Sequence, residues 1–117
     1  MEELLPHAKG TGMSALRRFG ALHQIDKCIE ELLELVLELG KHKAGSKNTE
    51  AIIDEVADVW LTTIQMALLF GWENCERRFQ FKIDRLDSLM NPQSMNAKFT
   101  GTPIMGPTSA FSSLGTE

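Results

Sequence analysis

The sequence predicts an all-α protein, because no segment alternates apolar and polar residues in the way that β-strands do. The chain has no tyrosine, and it contains none of the Asn-Gly or Asp-Gly dipeptides that close tight hairpins. Its middle part repeats apolar residues with the helical period of about 3.6 residues. A chain of 117 residues buries only about two thirds of the surface that its unfolded form exposes. A modest core is therefore possible for this helical bundle, and oligomerisation would help to complete it.

The first predicted helix runs from about Ser14 to about Lys41. Ser14 is a suitable N-cap, and Gly40 marks the end of the helix next to a basic turn that complements the helix dipole. Gly20 is expected to kink or interrupt this helix, and residues 1–13 are predicted to form an N-terminal arm. The polar side chains of the helix occupy an arc of only about 100° on a helical wheel. We therefore expect other helices to cover most of its surface.

The second predicted helix follows the polar connection KHKAGSKNT. Thr49 is expected to be its N-cap, and Phe70 to be its last residue before Gly71. The third predicted helix runs from Trp72 to Met90. Its apolar residues recur at helical spacing and form one face, which consists of Cys75, Phe79, Ile83, Leu86 and Met90.

Residues 91–117 contain three of the four prolines of the chain and show no periodicity. This composition predicts a Pro/Gly/Ser-rich C-terminal tail rather than a second domain. The tail also contains several large apolar residues, so two alternatives are open: a free end, or a segment in a groove of its own domain or of a neighbouring subunit. The predicted helical domain therefore covers residues 14–90.

The net charge of -4 and the isoelectric point near 5.4 argue against a nucleic-acid polymer as partner, because neutralising its phosphates requires a basic surface. The N-terminal sequence MEELLPH lacks the apolar segment of a signal peptide. The longest nearly apolar stretch, Val56 to Phe70, is shorter than the roughly 20 residues of a membrane helix. We therefore expect a cytoplasmic protein with no membrane contact, in which Cys28 and Cys75 pack as small apolar side chains.

Two pairs of carboxylates stand inside these apolar runs, Glu31 with Glu34 and Glu55 with Asp58. Residues three apart on a helix lie on the same face, so each pair points to one spot. An ionised carboxylate in apolar surroundings is unfavourable unless it is paired, protonated or metal-bound. We expect Glu55 and Asp58 to be the least solvated of the four, because the second predicted helix carries few other polar residues. Three further acids, Glu30, Glu38 and Asp54, are expected at the solvated edge of the cluster.

Salt bridges and a metal ion are the two ways in which these acids can be neutralised. Lys27 and the basic stripe of the third helix, which consists of Arg78, Lys82 and Arg85, can provide salt bridges. A divalent cation is the stronger alternative, because Mg²⁺ prefers oxygen ligands and leaves positions for phosphate oxygens. The absence of a nearby histidine favours such a hard ion over zinc or a di-iron centre.

The pattern Gln24-x-x-Lys27-x-x-Glu30-Glu31-x-x-Glu34, followed by Glu55-x-x-Asp58-Val59 and then by Lys82-x-x-Arg85-Leu86, resembles that of a known enzyme family. The family is that of the MazG-like, all-α nucleoside triphosphate pyrophosphohydrolases, especially the short single-domain forms of phages and prophages. The resemblance covers about residues 14–90.

The resemblance implies a Mg²⁺-dependent hydrolase, with Mn²⁺ as the alternative ion, that cleaves nucleoside triphosphates between the α and β phosphates. The products would be a nucleoside monophosphate and pyrophosphate. The resemblance also implies a homodimer or homotetramer, in which dimerisation completes a four-helix-bundle-like fold. It assigns metal binding and catalysis to Glu31, Glu34, Glu55 and Asp58, and phosphate binding to Lys27, Lys82 and Arg85.

Two alternatives remain open from the sequence. In the first, the chain is a non-catalytic helical oligomerisation module whose acidic and basic stripes form salt bridges between subunits. In the second, the same carboxylates act on a diphosphate or on another pyrophosphate ester. The preferred base and sugar, the number of metal ions and the identity of the general base are also left open.

Overall fold

The computed structural model of the chain describes residues 2–91. Within this range the structure contains four α-helices and no strand, so the prediction of an all-α protein is confirmed. The helices are α1 (Leu4–Phe19), α2 (Ala21–Lys43), α3 (Thr49–Phe70) and α4 (Trp72–Met90). None of them combines the length and the apolar character that crossing a bilayer requires. The predicted C-terminal tail lies, from residue 92 onward, outside the described residues.

The chain divides into two compact units, Met1–Glu76 and Arg77–Glu117. The boundary between them falls within α4. The first unit contains α1, α2 and α3, and with them every carboxylate of the predicted site. The described part of the second unit is the remainder of α4, which carries Lys82 and Arg85. The domain limits proposed at residues 14 and 90 stay a prediction.

The first predicted helix is in fact two helices, α1 and α2, which are separated at Gly20. This glycine has φ 93° and ψ 156°, a combination that residues with a Cβ essentially do not adopt. The helix does not begin at Ser14, which lies inside α1 instead of capping it. Most of the predicted N-terminal arm is therefore helical, since α1 begins at Leu4.

The sequence did not indicate the first part of α1, because three of its residues are poor intrinsic helix formers. Pro6, Gly10 and Gly12 each lower helix propensity, although proline is tolerated within the first turn. In the structure α1 packs against α3. Gly12 is buried there, and a methyl group at that position would lie only 3.0 Å from Cγ of Gln65. Tertiary packing thus stabilises a helix that local propensity does not favour.

Helices α2 and α3 form an antiparallel hairpin. Helix α2 continues about one turn beyond the predicted end at Gly40, and the chain turns at Gly45, which has φ 113°. The N-cap position of α3 is Asn48 instead of the predicted Thr49. Helix α3 ends before Gly71, as predicted, and this glycine has φ 127°.

The buried side chains of the hairpin are mostly polar. Cys28 is the only apolar side chain that is buried within residues 2–91, which confirms its predicted packing role. Cys75 is free and exposed, so the same prediction was wrong for it, because the apolar stripe of α4 to which it belongs is exposed. The buried residues between the three helices of the first unit are Gly12, Gln24, Cys28, Glu31, Thr62 and Gln65.

The large apolar side chains of α2 and α3 mostly face outward in the single chain. Trp60 of α3, for example, is 57% exposed. The outward-facing apolar side chains are Leu22, Ile29, Leu32, Leu33, Val36, Leu37 and Leu39 on α2, and Ile53, Trp60, Leu61 and Phe70 on α3. We expected other helices to cover most of the first predicted helix, but the helices of the first unit do not provide this cover by themselves.

Candidate metal centre

Three carboxylates of the hairpin converge on one point. One oxygen each of Glu31, Glu34 and Glu55 lies within 4.8 Å of the other two. Glu31 is 7% exposed, and the other two are half-buried. The structure therefore brings together both members of the first predicted pair and one member of the second.

Two oxygen atoms of this carboxylate triad are buried without a partner. Neither Oε1 of Glu31 nor Oε1 of Glu55 has a hydrogen-bond partner among the described residues. Buried polar atoms are hydrogen-bonded in the great majority of cases. An ionised carboxylate has no proton to donate, so its oxygens can only accept a hydrogen bond, take up a proton or bind a cation. These two atoms thus mark a position where positive charge is missing.

The fourth predicted ligand, Asp58, lies beside the triad and not within it. Its side chain is exposed, so the expectation that it is among the least solvated of the four was wrong. Asp58 shares the face of α3 that carries Thr62 and Gln65, and it lies next to Glu31 of α2, but neighbouring side chains leave it exposed. Partial burial, followed by the charge of Glu31 and a hydrogen bond with its carboxyl group, raises the pKa of Asp58.

The electrostatic environment of Glu55 is the most perturbed among the acids of the site. Burial is the largest cause, and it raises the pKa of this carboxyl group to about 7. The charges of Glu34, Asp58 and Glu31 add to the effect, in that order. Desolvation and neighbouring like charges both favour the neutral form of an acid. At neutral pH the site therefore takes up either a proton or a cation.

Lys27 provides one positive charge at the edge of the triad. Its Nζ atom lies 3.5 Å from Oε1 of Glu30 and 3.4 Å from Oε2 of Glu31. These two acids, Glu30 first, raise the pKa of the ammonium group. The lysine side chain is 45% exposed, so it is free to move toward a ligand without unpacking the hairpin. Glu30 itself is solvated, as predicted.

Glu38 connects α2 to the loop that leads into α3. The amide group of Asn48 donates to Oε1 of Glu38 at 2.7 Å and to its backbone carbonyl at 2.9 Å. Nζ of Lys41 donates to the other carboxylate oxygen at 3.1 Å. The hydrogen bond from Asn48, followed by that from Lys41, lowers the pKa of Glu38. Glu38 is therefore part of the hairpin and not a simply solvated acid, whereas Asp54 is exposed as expected.

At the end of the hairpin away from the loop, two buried side-chain amides connect α2 to α3. Nε2 of Gln24 donates to Oε1 of Gln65 at 2.6 Å, and each residue is 5% exposed. Nδ1 of His23 lies 2.7 Å from Oε1 of Gln24. Sequence reasoning missed this pair. The available signal was that both glutamines continue the polar stripes that carry the acids, at helical spacing and between apolar residues.

The remaining predicted phosphate-binding residues lie on α4. Lys82 is exposed and Arg85 is half-buried, and both belong to the second unit. Their assignment stays a prediction. At the start of α4, Trp72 is half-buried. Nζ of Lys9 lies 4.1 Å from its ring centroid, which is a cation–π contact within the first unit.

The triad fits a hard divalent cation. All its donors are carboxylate oxygens, which suit Mg²⁺ and Mn²⁺ better than the softer metals that prefer sulfur or nitrogen. The two buried, unpartnered oxygens of Glu31 and Glu55 are the atoms that such an ion would satisfy. No protein-family model, no curated protein and no solved structure matches the chain.

Proposed function

We propose that this protein is a metal-dependent nucleoside triphosphate pyrophosphohydrolase that releases a nucleoside monophosphate and pyrophosphate. The observation that carries the proposal is the convergence of Glu31, Glu34 and Glu55 within 4.8 Å, with two of their oxygens buried and unpartnered. A triphosphate reaches such a site through a bridging divalent cation, because phosphate oxygens and carboxylates share hard ions. The resemblance to MazG-like enzymes supplies the reaction.

The alternative of a salt-bridged assembly module explains the acids less well. Lys27 is the cation that pairs with the triad, and it contacts Glu31 through a half-exposed side chain. Burial, followed by the charges of Glu34, Asp58 and Glu31, raises the pKa of Glu55 to about 7, so among the described residues of the single chain this carboxylate has no cation that stabilises its charged form. Ion pairs of a structural interface would lower the pKa of this carboxyl group. A site that binds a cation reversibly accounts for both observations.

We assign different roles to the residues of the site. Glu31, Glu34 and Glu55 hold the cation, which we take to be Mg²⁺ or Mn²⁺. When bound, the ion neutralises the triphosphate and lowers the pKa of water. Asp58 lies at the solvent side, next to Glu31, where its carboxylate can coordinate the ion or accept a proton from the attacking water. The water oxygen forms a new P–O bond while the bond that bridges the α and β phosphates breaks.

The cationic side chains are assigned to the phosphates. Lys27 is already oriented toward the triad, and its exposed ammonium group can exchange the carboxylate of Glu31 for a phosphate oxygen. The resemblance assigns phosphate binding to Lys82 and Arg85 as well, since positive charge stabilises the negative charge that develops on a leaving pyrophosphate; this assignment stays a prediction.

Association with a second copy forms part of the proposal. Large apolar side chains on the outer faces of α2 and α3 are exposed in the single chain, and patches of this kind mark association surfaces. A homodimer or homotetramer would bury these faces and surround the hairpin with further helices. Burial against a second copy would also strengthen the electrostatic interactions of the triad.

The proposal is tested by phosphorus NMR of the full chain with a panel of nucleoside and deoxynucleoside triphosphates. With Mg²⁺ or Mn²⁺ we expect a monophosphate and pyrophosphate, and with a chelator no turnover. Glu34→Gln should reduce the rate by about tenfold or more, because a metal-binding group is lost. The matched control is Glu30→Gln, which alters an exposed glutamate of the same helix and should retain most of the activity.

Two results would contradict the proposal. One is the absence of metal-dependent hydrolysis for every nucleotide, together with an unchanged melting temperature when Mg²⁺ or Mn²⁺ is added. That outcome would favour the assembly module. The other is the release of inorganic phosphate instead of pyrophosphate, which would show that the site cleaves a different bond.

A further inference from the structure

The carboxylate triad lies between two side-chain connections of the α2–α3 hairpin. At the closed end, next to the loop, Asn48 donates two hydrogen bonds to Glu38. At the open end, where no loop joins the helices, Gln24 donates to Gln65 at 2.6 Å. Between these two ends, one carboxylate oxygen each of Glu31, Glu34 and Glu55 lies within 4.8 Å of the other two, and Asp58 lies next to Glu31.

The acids oppose the closure of the hairpin. Like charges at this spacing repel each other, and water screens them little where carboxylate oxygens are buried. The loop holds the helices together only at the closed end. The open end requires an attractive interaction between α2 and α3. Apolar side chains such as Ile25 and Leu68 are only half-buried in this part of the first unit, whereas the amides of Gln24 and Gln65 are buried there.

We propose that the hydrogen bond between Gln24 and Gln65 is a positioning device that closes the open end of the hairpin. It holds Glu31 of α2 close to Glu55 of α3, and it thereby preforms the metal site. The part of this inference that concerns metal binding rests on the function proposed above, whereas the closure of the hairpin does not. The two glutamines act through the carboxylates and are positioning residues, not ligands.

The surroundings of the amide pair support this role. Both glutamines are 5% exposed, so water competes little for their hydrogen bond. Gln24 is oriented by His23, whose Nδ1 lies 2.7 Å from its Oε1. Gln65 is backed by Gly12 of α1, where a methyl group would lie 3.0 Å from Cγ of Gln65. The pair is thus fixed from both sides, as a group that sets the relative position of two helices must be.

Methionine substitutions separate a positioning role from a purely structural one. Gln24→Met or Gln65→Met alone leaves the other amide buried and unpaired, which should lower the melting temperature. The double variant Gln24→Met/Gln65→Met places two apolar side chains of similar length against each other, so its melting temperature should recover. If the pair is only structural, Mn²⁺ affinity recovers with stability. If the pair positions the acids, Mn²⁺ affinity stays low.

The first measurement is the binding of Mn²⁺ alone to the full chain, followed by electron paramagnetic resonance. We expect the folded double variant to bind Mn²⁺ about tenfold or more weakly than the wild type, in the range that is typical of lost supporting contacts. The matched control is Gln80→Met on α4, which alters an exposed glutamine of the second unit and should leave the affinity unchanged. The pair Gln24→Leu/Gln65→Leu serves as a second version if the methionine pair does not fold.

The second measurement is independent of metal. Spin labels at Asp26→Cys and Thr63→Cys report the distance across the open end, and labels at His42→Cys and Glu50→Cys report the closed end, in a Cys75→Ser background with unlabelled protein in excess. We expect the double variant to lengthen and broaden the first distance and to leave the second unchanged.

The outcomes decide between the alternatives. Unchanged distances at the open end in a folded double variant would overturn the inference, and so would an unchanged affinity of that variant for Mn²⁺. If the wild type does not bind Mn²⁺, the proposed function fails, and the distance at the open end decides the inference by itself.

Discussion

The four acids of the site differ in how far the protein separates them from water. Glu31 is 7% exposed and Asp58 is exposed, with Glu34 and Glu55 between them. The free-energy cost of ionising an acid depends on its burial more than on its position in the motif, so a buried acid has the greater need of a neighbouring positive charge. The two buried oxygens without a hydrogen-bond partner belong to Glu31 and Glu55. These two residues, one from each helix, are therefore the anchors of the proposed metal site.

Replacing Glu55 by glutamine should stabilise the metal-free protein at alkaline pH. Because the folded state raises the pKa of this carboxyl group from 4.5 to about 7, it holds more protons than the unfolded state between these two values. Stability must then fall as the pH rises through that window. Glutamine removes this loss. We expect the melting temperature of Glu55→Gln, measured with a chelator, to exceed that of the wild type by a few degrees above pH 7.

The same substitution should give a smaller gain near pH 5, where the wild-type carboxyl group retains its proton in the folded state. It should also reduce the stabilisation that Mg²⁺ or Mn²⁺ provides, because a ligand is lost. Glu30→Gln changes an exposed carboxylate beside Lys27 and should shift the melting temperature little, since surface ion pairs contribute little. A gain for Glu55→Gln that does not depend on pH would contradict the explanation by charge.

At the scale of the elements, glycines set where the helices begin and end. Gly20 separates α1 from α2 with φ 93°, and positive φ angles also occur at Gly45 and Gly71, next to the ends of α2 and α3. The break at Gly20 lets α1 fold back against α3, where it supports Gln65. A continuous helix would carry residues 4–19 away from the hairpin. The conformation of one residue thus decides whether α1 contributes to the site.

Alanine substitutions at two glycines should have opposite effects on stability. Gly20→Ala forces a Cβ into a strained backbone conformation, which costs about 1–3 kcal/mol. Gly10→Ala lies inside α1 in open space, and it should stabilise the helix by up to about 1 kcal/mol through helix propensity. Chemical denaturation of the two variants measures both effects. If both substitutions increased the free energy of unfolding, Gly20 would not require its positive φ angle.

At the scale of the whole molecule, polar residues lie inside the hairpin and apolar residues lie on its outside. The first unit places two glutamines, a glutamate and a threonine between its helices, whereas Val36 and Leu37 on α2 are 64% and 63% exposed. This arrangement is the reverse of an ordinary monomeric domain. It is expected if the apolar faces become the core of an assembly, while the polar seam between α2 and α3 forms the site.

A charged substitution on the outer face of α2 should therefore dissociate the protein. We expect light scattering coupled to size-exclusion chromatography to give an oligomer for the wild type and a smaller species for Val36→Lys, because a lysine at an apolar interface loses its hydration. Thr11→Lys places the same charge at an exposed position of α1 and should leave the assembly intact. A monomeric wild type would contradict this part of the proposal.

Much of the fold followed from local sequence signals. The bounds of α3 and α4 were predicted within one residue or better, because glycine stops and long apolar periods mark them. The N-terminal limit of α1 was not predicted, since contacts with α3 stabilise it against its own glycines and its proline. The convergence of Glu31, Glu34 and Glu55 followed from helical spacing and the assumption of a hairpin. The exposure of Asp58 did not, because helical spacing fixes the face on which a residue lies but not how far neighbouring side chains cover it.

The sequence by itself determined the all-α class, the positions of α3 and α4, and the two carboxylate pairs, because these depend on residues close together along the chain. Only the tertiary structure decided that Gln24 meets Gln65, that Glu38 meets Asn48, and that Glu31 is the most buried acid. These features join residues from different helices, and they depend on the rotation and register of α2 against α3. The burial and neighbouring charge that raise the pKa of Glu55 arise only when both helices are in place.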